Sequence, residues 1–339
     1  MKFVKINGTD DAENTDYSNY FFVFTNHHGI CDGKNSVQIF IQFLKILNAI
    51  LLNTRCEEMN ENNIIESKYS FEELGENLIK TLDLNNFDSV CFDKKVVSDK
   101  FGNKKLNTNV LTSFDCIKID GQKIKKLIQL SKIKTKDAKM TSILSTLVCL
   151  SIKNITSKLK PTDIDLNNYL KYEVLVSVRE KLNLTNLQMG IYSTVIENQI
   201  LDDLNEESFW KVAQQQSTSL HDRLKSNDDI GSIELDAYID ALNDETKNIG
   251  SCNLFSISNI GRIDYDNKNP DFVIKMKEHY MFETLRHRGI GGYLLFGISS
   301  ISNSDDLCWS FNYVEYYYSK EFINDLKHSI VTLIENLIA

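Results

Sequence analysis

Two adjacent histidines stand between a strand-like and a helix-like segment near the start of this 339-residue chain. Residues 27–33 read His-His-Gly-Ile-Cys-Asp-Gly and directly follow the aromatic and β-branched run YSNYFFVFTN at residues 17–26. This run predicts a strand that is covered on both faces. Apolar residues then recur around most of the helical segment at residues 36–53, which predicts a deeply buried helix. The fold must therefore place a strand, a polar turn and a buried helix in immediate succession.

The composition is that of a globular protein, with 42% hydrophobic and 25% charged residues. Its net charge of -9 and its lack of an Arg- or Lys-rich stripe argue against nucleic-acid binding, which needs a clustered positive surface. We expect no signal peptide and no membrane span, since no apolar run reaches the required ~18 residues. The seven cysteines are widely spread and form no Cys-x-x-Cys pair, which favours a reducing, cytoplasmic setting over a disulfide framework or a zinc site.

The later part of the chain predicts strands and helices around polar connections. Alternation of apolar and polar residues over 307–314 predicts a half-buried strand, and SNSDD before it predicts a hairpin turn. Thr141 and Ser319 are expected to cap helices at about 141–157 and 320–338, and a further helix is predicted from residue 122. The other predicted strands lie at 113–119, 172–178, 189–196, 252–258 and 292–301. Residues 57–69 and 93–110 are polar and predict long loops.

The histidine pair has the chemistry that acyl transfer needs. An alcohol is a weak nucleophile until a base takes its proton, and neutral imidazole can accept that proton and return it to a leaving thiolate. Adjacent strand residues point to opposite faces, so His27 and His28 cannot both face one substrate, and they do not converge easily on a metal ion. Asp32 can fix the turn through an ion pair or backbone hydrogen bonds, and Gly33 can supply permissive backbone angles. Cys31 is interpreted as a packing residue, and the competing interpretation of the whole motif is a surface turn.

The strand–HHxxxDG–helix unit resembles the coenzyme-A-dependent acyltransferase superfamily, which includes condensation domains, plant hydroxycinnamoyl-type acyltransferases and fungal alcohol O-acetyltransferases. The order of the later segments is similar too, from the long polar crossing to the closing strand and helix. The resemblance implies an α/β sandwich like that of chloramphenicol acetyltransferase, with a mixed sheet flanked by helices. It implies a remainder of the N-terminal subdomain at residues 1–110 and a C-terminal acyltransferase subdomain at 111–339. Only 26 residues precede the motif, so we expect one subdomain and a part of the other.

The resemblance also assigns roles within the motif. It makes His28 the general base and gives His27 and Gly33 supporting positions. Asp32 is implied to be architectural and to pair with an arginine from the other half of the fold, for which Arg179 in VSVRE occupies the matching position. Removal of either charge would leave its partner buried and uncompensated, so it should destabilise as well as inactivate.

Two segments of the later chain are predicted to contribute to the site. Residues 258–262, SNIGR, resemble a loop near the subdomain crossing, where Asn259 and Gly261 are expected to hold the shape of the channel. This stretch is most similar to the alcohol O-acetyltransferase branch, and the Asp-Phe-Gly-Trp-Gly loop of the plant branch is absent. Arg286 and Arg288 could meet the phosphates of coenzyme A, although a solvated loop is the favoured interpretation of these charges.

Three functional hypotheses follow. The first is transfer of an acyl group, in particular acetyl, from coenzyme A to the hydroxyl of a small alcohol, with an amine as the other possible acceptor. Acyl-coenzyme A would be a cosubstrate, and no permanently bound cofactor or metal is expected. The second is a condensation domain that acts on carrier-bound substrates, which is less favoured because no carrier segment follows the domain. The third is a truncated, non-catalytic homologue.

Overall fold

The chain groups into two compact units. The computed structural model describes residues 2–5, 20–25, 31–53, 112–157, 170–180, 183–184, 192–200, 203–226, 253–265, 272–283, 294–302, 304–315 and 318–339. The first unit comprises Met1–Phe71 and Arg179–Tyr192, and the second comprises Glu72–Val178 and Ser193–Ala339. The segment around Arg179 therefore groups with the motif-bearing part of the chain. The predicted boundary at 110/111 stays a prediction, because residues 54–111 lie outside the described ranges.

The described part of the first unit comprises a two-stranded sheet and a long helix. Strand β1 (Lys2–Lys5) pairs antiparallel with β2 (Tyr20–Val23), and helix α1 spans Gly33–Leu51. Strand β2 confirms the predicted strand, whereas β1 was not predicted. The expectation that β2 is covered on both faces is wrong at Val23, whose side chain is 49% exposed.

Helix α1 is buried along one stripe only. Val37, Ile41 and Leu44 are buried at the spacing that aligns residues on one helical face. Ile50 and Leu51 are exposed near the end of the helix. The prediction of a deeply buried helix is therefore wrong for the remainder of its surface. Apolar residues around a helix are buried only where other elements pack against them, which periodicity alone does not reveal.

The second unit is built on a mixed sheet. Its order is β3-β8-β7-β6-β4-β5 among the described residues, with β4, β6 and β7 parallel to one another and the other neighbours antiparallel. The predicted strands are present with shifted ends. They are β3 (Thr112–Ile119), β4 (Lys171–Ser177), β5 (Ser193–Gln199), β6 (Ser256–Ile263), β7 (Leu294–Ile301) and β8 (Leu307–Val314).

Helices flank this sheet. They are α2 (Gly121–Lys134), α3 (Met140–Thr156), α4 (Phe209–Ser226) and α5 (Lys320–Ile338). Ser319 caps α5 as predicted, because its side chain accepts a hydrogen bond from the Phe322 N–H. The predicted cap of α3 is wrong: Lys139 occupies that position without a side-chain hydrogen bond, and Thr141 lies inside the helix. None of the described helices combines the length and apolar character needed to cross a membrane.

Helix α4 was not predicted. It has an apolar stripe, with Phe209, Val212 and Leu220 all buried. The stripe is interrupted by Gln216 and Ser217, which are buried as well. These two polar residues find partners inside the fold, since the Tyr172 hydroxyl donates to Gln216 Oε1 at 2.9 Å and the Lys139 N–H donates to Ser217 Oγ at 3.0 Å. Because these polar residues interrupt the apolar periodicity of the segment, its sequence did not indicate a helix.

The core of the second unit lies between the helices and one face of the sheet. Phe296, Trp309 and Phe311 pack there edge to face or stacked, with ring centroids 5.2 to 6.0 Å apart. All eight residues of β8 are buried. The prediction of a half-buried strand is therefore wrong, because residues 272–283 cover the polar face of β8. That coverage comes from a segment distant in sequence.

Candidate active site

The described part of the motif begins just after the histidines. His27 and His28 lie outside the described residues. Asp32 precedes α1 as its N-cap: its Oδ1 accepts a hydrogen bond from the Asn35 N–H at 3.0 Å, and its carbonyl oxygen accepts one from the Ser36 N–H at 3.0 Å. Such a cap satisfies amide groups that have no partner within the helix. The end of the motif is thus anchored to the start of α1.

Asp32 also forms a buried ion pair with Arg179. Arg179 Nη2 donates to Asp32 Oδ2 at 2.8 Å, and the two side chains are only 2% and 5% exposed. The Tyr192 N–H donates to the same oxygen at 3.1 Å. The pairing implied by the family resemblance is therefore present, although the two residues are 147 positions apart. Hydrogen bonds to the charged carboxylate are needed at this depth, because a buried ion pair repays its desolvation cost only when its remaining polar atoms are satisfied.

Asn35 and Tyr192 hold the arginine from two further sides. Arg179 Nη2 also donates to Asn35 Oδ1 at 2.5 Å, and Asn35 is 1% exposed. The guanidinium carbon lies 4.5 Å from the centre of the Tyr192 ring, within the range of a cation–π contact. We call Asp32, Asn35, Arg179 and Tyr192 the Asp32 clamp. Neither Asn35 nor Tyr192 was predicted; only the three-residue spacing of Asn35 from the N-cap hinted at a local contact.

The clamp is suited to positioning and has no free base of its own. Its carboxylate and guanidinium are committed to each other, so neither is arranged to move a proton. Gly33 is the first residue of α1 and is not among the residues with positive φ, so the expectation that it supplies special backbone angles is wrong. Cys31 is 1% exposed, with its Sγ 3.5 Å from Ser36 Oγ. The clamp therefore fixes Asp32, near the end of the motif, at the start of α1.

Asn259 and Gly261 lie together in the second unit. The prediction that they belong to a loop is wrong, because both lie in β6, where the pairing with β7 is interrupted by a bulge. Gly261 has φ +83°, and its N–H donates to Asn259 Oδ1 at 3.0 Å. Asn259 Nδ2 donates to Thr141 Oγ1 at 3.1 Å, near the start of α3. Asn259 thus joins the bulge to a helix.

The remaining site predictions fall outside the described structure or concern metals. Arg286 and Arg288 lie outside the described residues. Within the ranges that the structure describes, no group of three or more His, Cys, Asp or Glu side chains is placed to hold a metal ion. The structure therefore brings Asp32, Gly33 and Arg179 together in the first unit, and it brings Asn259 and Gly261 together in the second. Their roles in catalysis stay predictions.

Comparisons with known proteins find relatives in structure but not in sequence. No protein-family profile and no curated protein sequence matches the chain. The epimerization domain from the third module of tyrocidine synthetase B matches with a TM-score of 0.55 and 13% identity, over 92% of this chain and 67% of that one. The first condensation domain of the CDA synthetase matches with a TM-score of 0.55 and 11% identity, over 92% and 62%.

An acetyltransferase shares the same architecture. The TRI3 trichothecene 15-O-acetyltransferase of Fusarium sporotrichioides matches with a TM-score of 0.53 and 12% identity, over 91% of this chain and 63% of that one. The chain has the condensation-domain fold. The predicted fold, a mixed sheet flanked by helices as in coenzyme-A-dependent acyltransferases, is confirmed. The chain spans about two thirds of the length of these structures.

Proposed function

We propose that the chain is an acyltransferase that moves an acyl group, in particular acetyl, from coenzyme A to the hydroxyl of a small alcohol. The observation that carries the proposal is the buried Asp32–Arg179 ion pair, four residues after His28. An ion pair at this depth is costly unless its polar atoms find further partners, and here Asn35 Oδ1 and the Tyr192 N–H each add a hydrogen bond to it. These contacts fix Asp32 at the end of the motif, and a catalytic base needs such support close to it in the chain.

His28 acts as the general base in this proposal. Its neutral imidazole takes the proton of the acceptor hydroxyl while the hydroxyl oxygen attacks the thioester carbonyl carbon. The oxyanion that develops is stabilised by backbone N–H donors. The C–S bond then breaks, the imidazolium returns the proton to the departing thiolate, and the products are the ester and free coenzyme A. Atoms and charge balance without a metal ion or a permanently bound cofactor.

Other residues support this base in the proposal. The Asp32 clamp positions the motif, with His27 and Gly33 in supporting places. Asn259 and Gly261 hold the shape of the substrate channel through the β6 bulge, and Arg286 and Arg288 meet the phosphates of the acyl-coenzyme A cosubstrate. An amine is the alternative acceptor, because it also needs to lose a proton during attack.

A condensation domain is the second candidate function. It is favoured by the architecture shared with the epimerization domain of tyrocidine synthetase B and the condensation domain of the CDA synthetase. The same base would then serve an acyl group held on a carrier protein, and the donor would be a carrier-bound thioester. A non-catalytic homologue is the third hypothesis, and it predicts consumption of neither donor.

Thioester consumption tests the proposal. The chain is incubated with a panel of acyl-coenzyme A donors and small alcohols, and release of free thiol is measured. A general base contributes about 10²–10⁴-fold to the rate, so His28→Ala should lose activity by that factor. His328→Ala is the matched control, since His328 lies on the exposed side of α5. Equal thiol release by His28→Ala and the parent would show that His28 is not the base.

The donor separates the candidate functions. Acyl groups loaded on a phosphopantetheinylated carrier protein are offered in parallel with acyl-coenzyme A. If the chain consumes only the carrier-bound donor, the proposed transfer from coenzyme A is refuted and the condensation function is supported. Consumption of neither donor, by a chain whose circular dichroism shows it folded, would support the non-catalytic homologue.

A further inference from the structure

An extended segment lies across the face of the second unit's sheet that is turned away from the helices. We call residues 272–283 the strap. The Met281 N–H donates to Ser310 Oγ at 2.9 Å, and the Glu283 N–H donates to Asn312 Oδ1 at 3.0 Å. Asn312 Nδ2 donates back to the Met281 carbonyl oxygen at 3.3 Å. Side chains of β8 thus replace a neighbouring strand as hydrogen-bonding partners of the strap's main chain.

The strap sits very close to the sheet. A Cβ atom at Gly297 in β7 would lie only 2.7 Å from Met281 Cε and 3.0 Å from Met281 Cβ, so glycine is needed beneath the strap. At the other end the Tyr265 hydroxyl donates to the Ile274 carbonyl oxygen at 2.8 Å. Val273 is 54% and Phe282 60% exposed, and the Phe282 ring packs edge to face against Phe114 of β3 with ring centroids 5.8 Å apart. The strap is therefore a partly exposed cover attached to the sheet beneath it.

His279 is the titratable residue at the centre of this attachment. Ser299 Oγ donates to the His279 carbonyl oxygen at 3.0 Å, and the His279 Nδ1 atom lies 3.0 Å from the same Oγ. The single proton of the hydroxyl is used on the carbonyl, so Nδ1 carries a hydrogen and donates it to Ser299. Nε2 then bears the lone pair of a neutral ring. Desolvation lowers the pKa of His279 to about 4, which is consistent with a ring that is neutral at pH 7.

Several other titratable groups surround this point. Burial raises the pKa values of the Cys116 and Cys308 thiols and of the Tyr280 phenol, so these three groups stay uncharged in acid. The Lys118 ammonium and the Glu278 carboxylate form an ion pair at 2.7 Å, and the carboxylate is a second place where acid could act on the strap. Cys308 of β8 is hydrogen-bonded to the His279 main chain, and the strap neighbours Glu278 and Tyr280 interact with Lys118 and Cys116 of β3 respectively.

We propose that the strap is releasable and that protonation of His279 is the switch that frees it from the sheet. A proton on Nε2 would place a positive charge in a partly buried, poorly solvated position, and that charge is better hydrated once the ring has left Ser299. The same hydroxyl holds the His279 carbonyl, so departure of the ring loosens the main chain as well. Release uncovers Ser299, Ser310 and Asn312. The switch is independent of the proposed acyl transfer.

The size of the effect follows from the two pKa values. A histidine in a released strap has the ordinary pKa of about 6.5, whereas the bound residue has a pKa of about 4. The equilibrium constant for release then rises about 20-fold between pH 7 and pH 5. Below pH 4 both forms are protonated and the rise ends.

Amide hydrogen exchange on the whole chain tests the switch. Protection factors of the Met281 and Glu283 amides, corrected for the intrinsic pH dependence of exchange, should fall about 20-fold from pH 7 to pH 5, with the midpoint of the change set by His279. Amides inside α3 should keep their protection over the same range. Constant protection of the strap, or a loss shared equally by α3, would overturn the proposal.

Three variants assign the effect to His279. His279→Asn keeps an N–H that can donate to Ser299 but cannot be protonated, so its strap protection should be constant between pH 7 and pH 5. His328→Asn is the control on α5 and should respond like the parent. Glu278→Gln should also keep the response, and its loss in this variant would transfer the switch to the Lys118–Glu278 pair and refute the proposal. If His279→Asn does not fold, the parent's pH midpoint and the Glu278→Gln variant still decide the matter.

Discussion

The Asp32 clamp makes a quantitative prediction about stability. Arg179→Met removes the positive charge while keeping a long apolar side chain, and it leaves the Asp32 carboxylate, whose side chain is 5% exposed, without its charged partner. Breaking a buried ion pair in this way costs about 3–5 kcal/mol. The Asn35 carbonyl loses a donor in the same change, but the two losses share one network and do not add. We therefore expect Arg179→Met to destabilise the first unit by about 3–5 kcal/mol.

A second variant tests whether the uncompensated charge is the cause. Asp32→Asn keeps an oxygen that can cap α1 but removes the negative charge. The double variant Asp32→Asn, Arg179→Met has no buried charge, so it should be more stable than Arg179→Met by about 1–3 kcal/mol. A cost equal to the sum of the two single variants would contradict this account, because it would mean that the two residues act independently.

The assay must report on the first unit. The chain's two tryptophans, Trp210 and Trp309, both belong to the second unit, so their fluorescence does not serve. Hydrogen exchange of the α1 amides reports on the first unit. The Ser36 amide is the most direct probe, because its N–H donates to the Asp32 carbonyl at 3.0 Å. If Arg179→Met lowers the free energy of opening measured by this exchange by less than about 1 kcal/mol, the reasoning is refuted. An exposed ion pair contributes no more than that to stability.

Three further predictions concern the second unit and use urea unfolding followed by tryptophan fluorescence. Gly261→Ala should cost about 1–2 kcal/mol from backbone strain alone, because φ is +83° while a Cβ there would meet nothing within 4 Å; no change would argue against the bulge geometry. Gly121→Ala should cost more than Gly261→Ala, since its Cβ would lie 2.6 Å from the Ser304 carbonyl oxygen. The pKa of His279 is lowered on folding, so its contribution to stability should be full above pH 6.5 and fall by up to about 3 kcal/mol as pH drops to 4, and His279→Asn should lack this part of the acid loss.

Sequence patterns correctly predicted those elements that depend on residues close to one another in the chain. The hairpin of β7 and β8 was predicted from two apolar runs around SNSDD, and the two strands do pair antiparallel. The cap of α5 was predicted because Ser319 directly precedes an amphipathic run. The cap of α3 was assigned to Thr141 by the same rule, but the helix begins at Met140 with Lys139 as its N-cap, and the Thr141 hydroxyl accepts a hydrogen bond from Asn259 in a distant strand. Capping propensity cannot anticipate a tertiary partner.

In the candidate site, only the residues implied by the family resemblance were predicted. The Asp32–Arg179 pair joins segments 147 residues apart, and no periodicity in the chain connects them. Tyr192 contributes a backbone N–H as well as its ring, and a backbone donor has no sequence signature. The burial of the polar face of β8 was missed for the same reason, since the strap that covers it comes from between β6 and β7.

The two units share one structural strategy. In the first, the Asp32 carboxylate binds the Tyr192 N–H, and in the second, Ser310 and Asn312 bind the main chain of the strap. Each of these residues is at most 5% exposed, so an unbound polar group there would be costly. Buried polar side chains thus attach segments that have no regular pairing of their own. Such attachments depend on a few hydrogen bonds and one charge state, so single substitutions or protonation can release a segment while the apolar core remains intact.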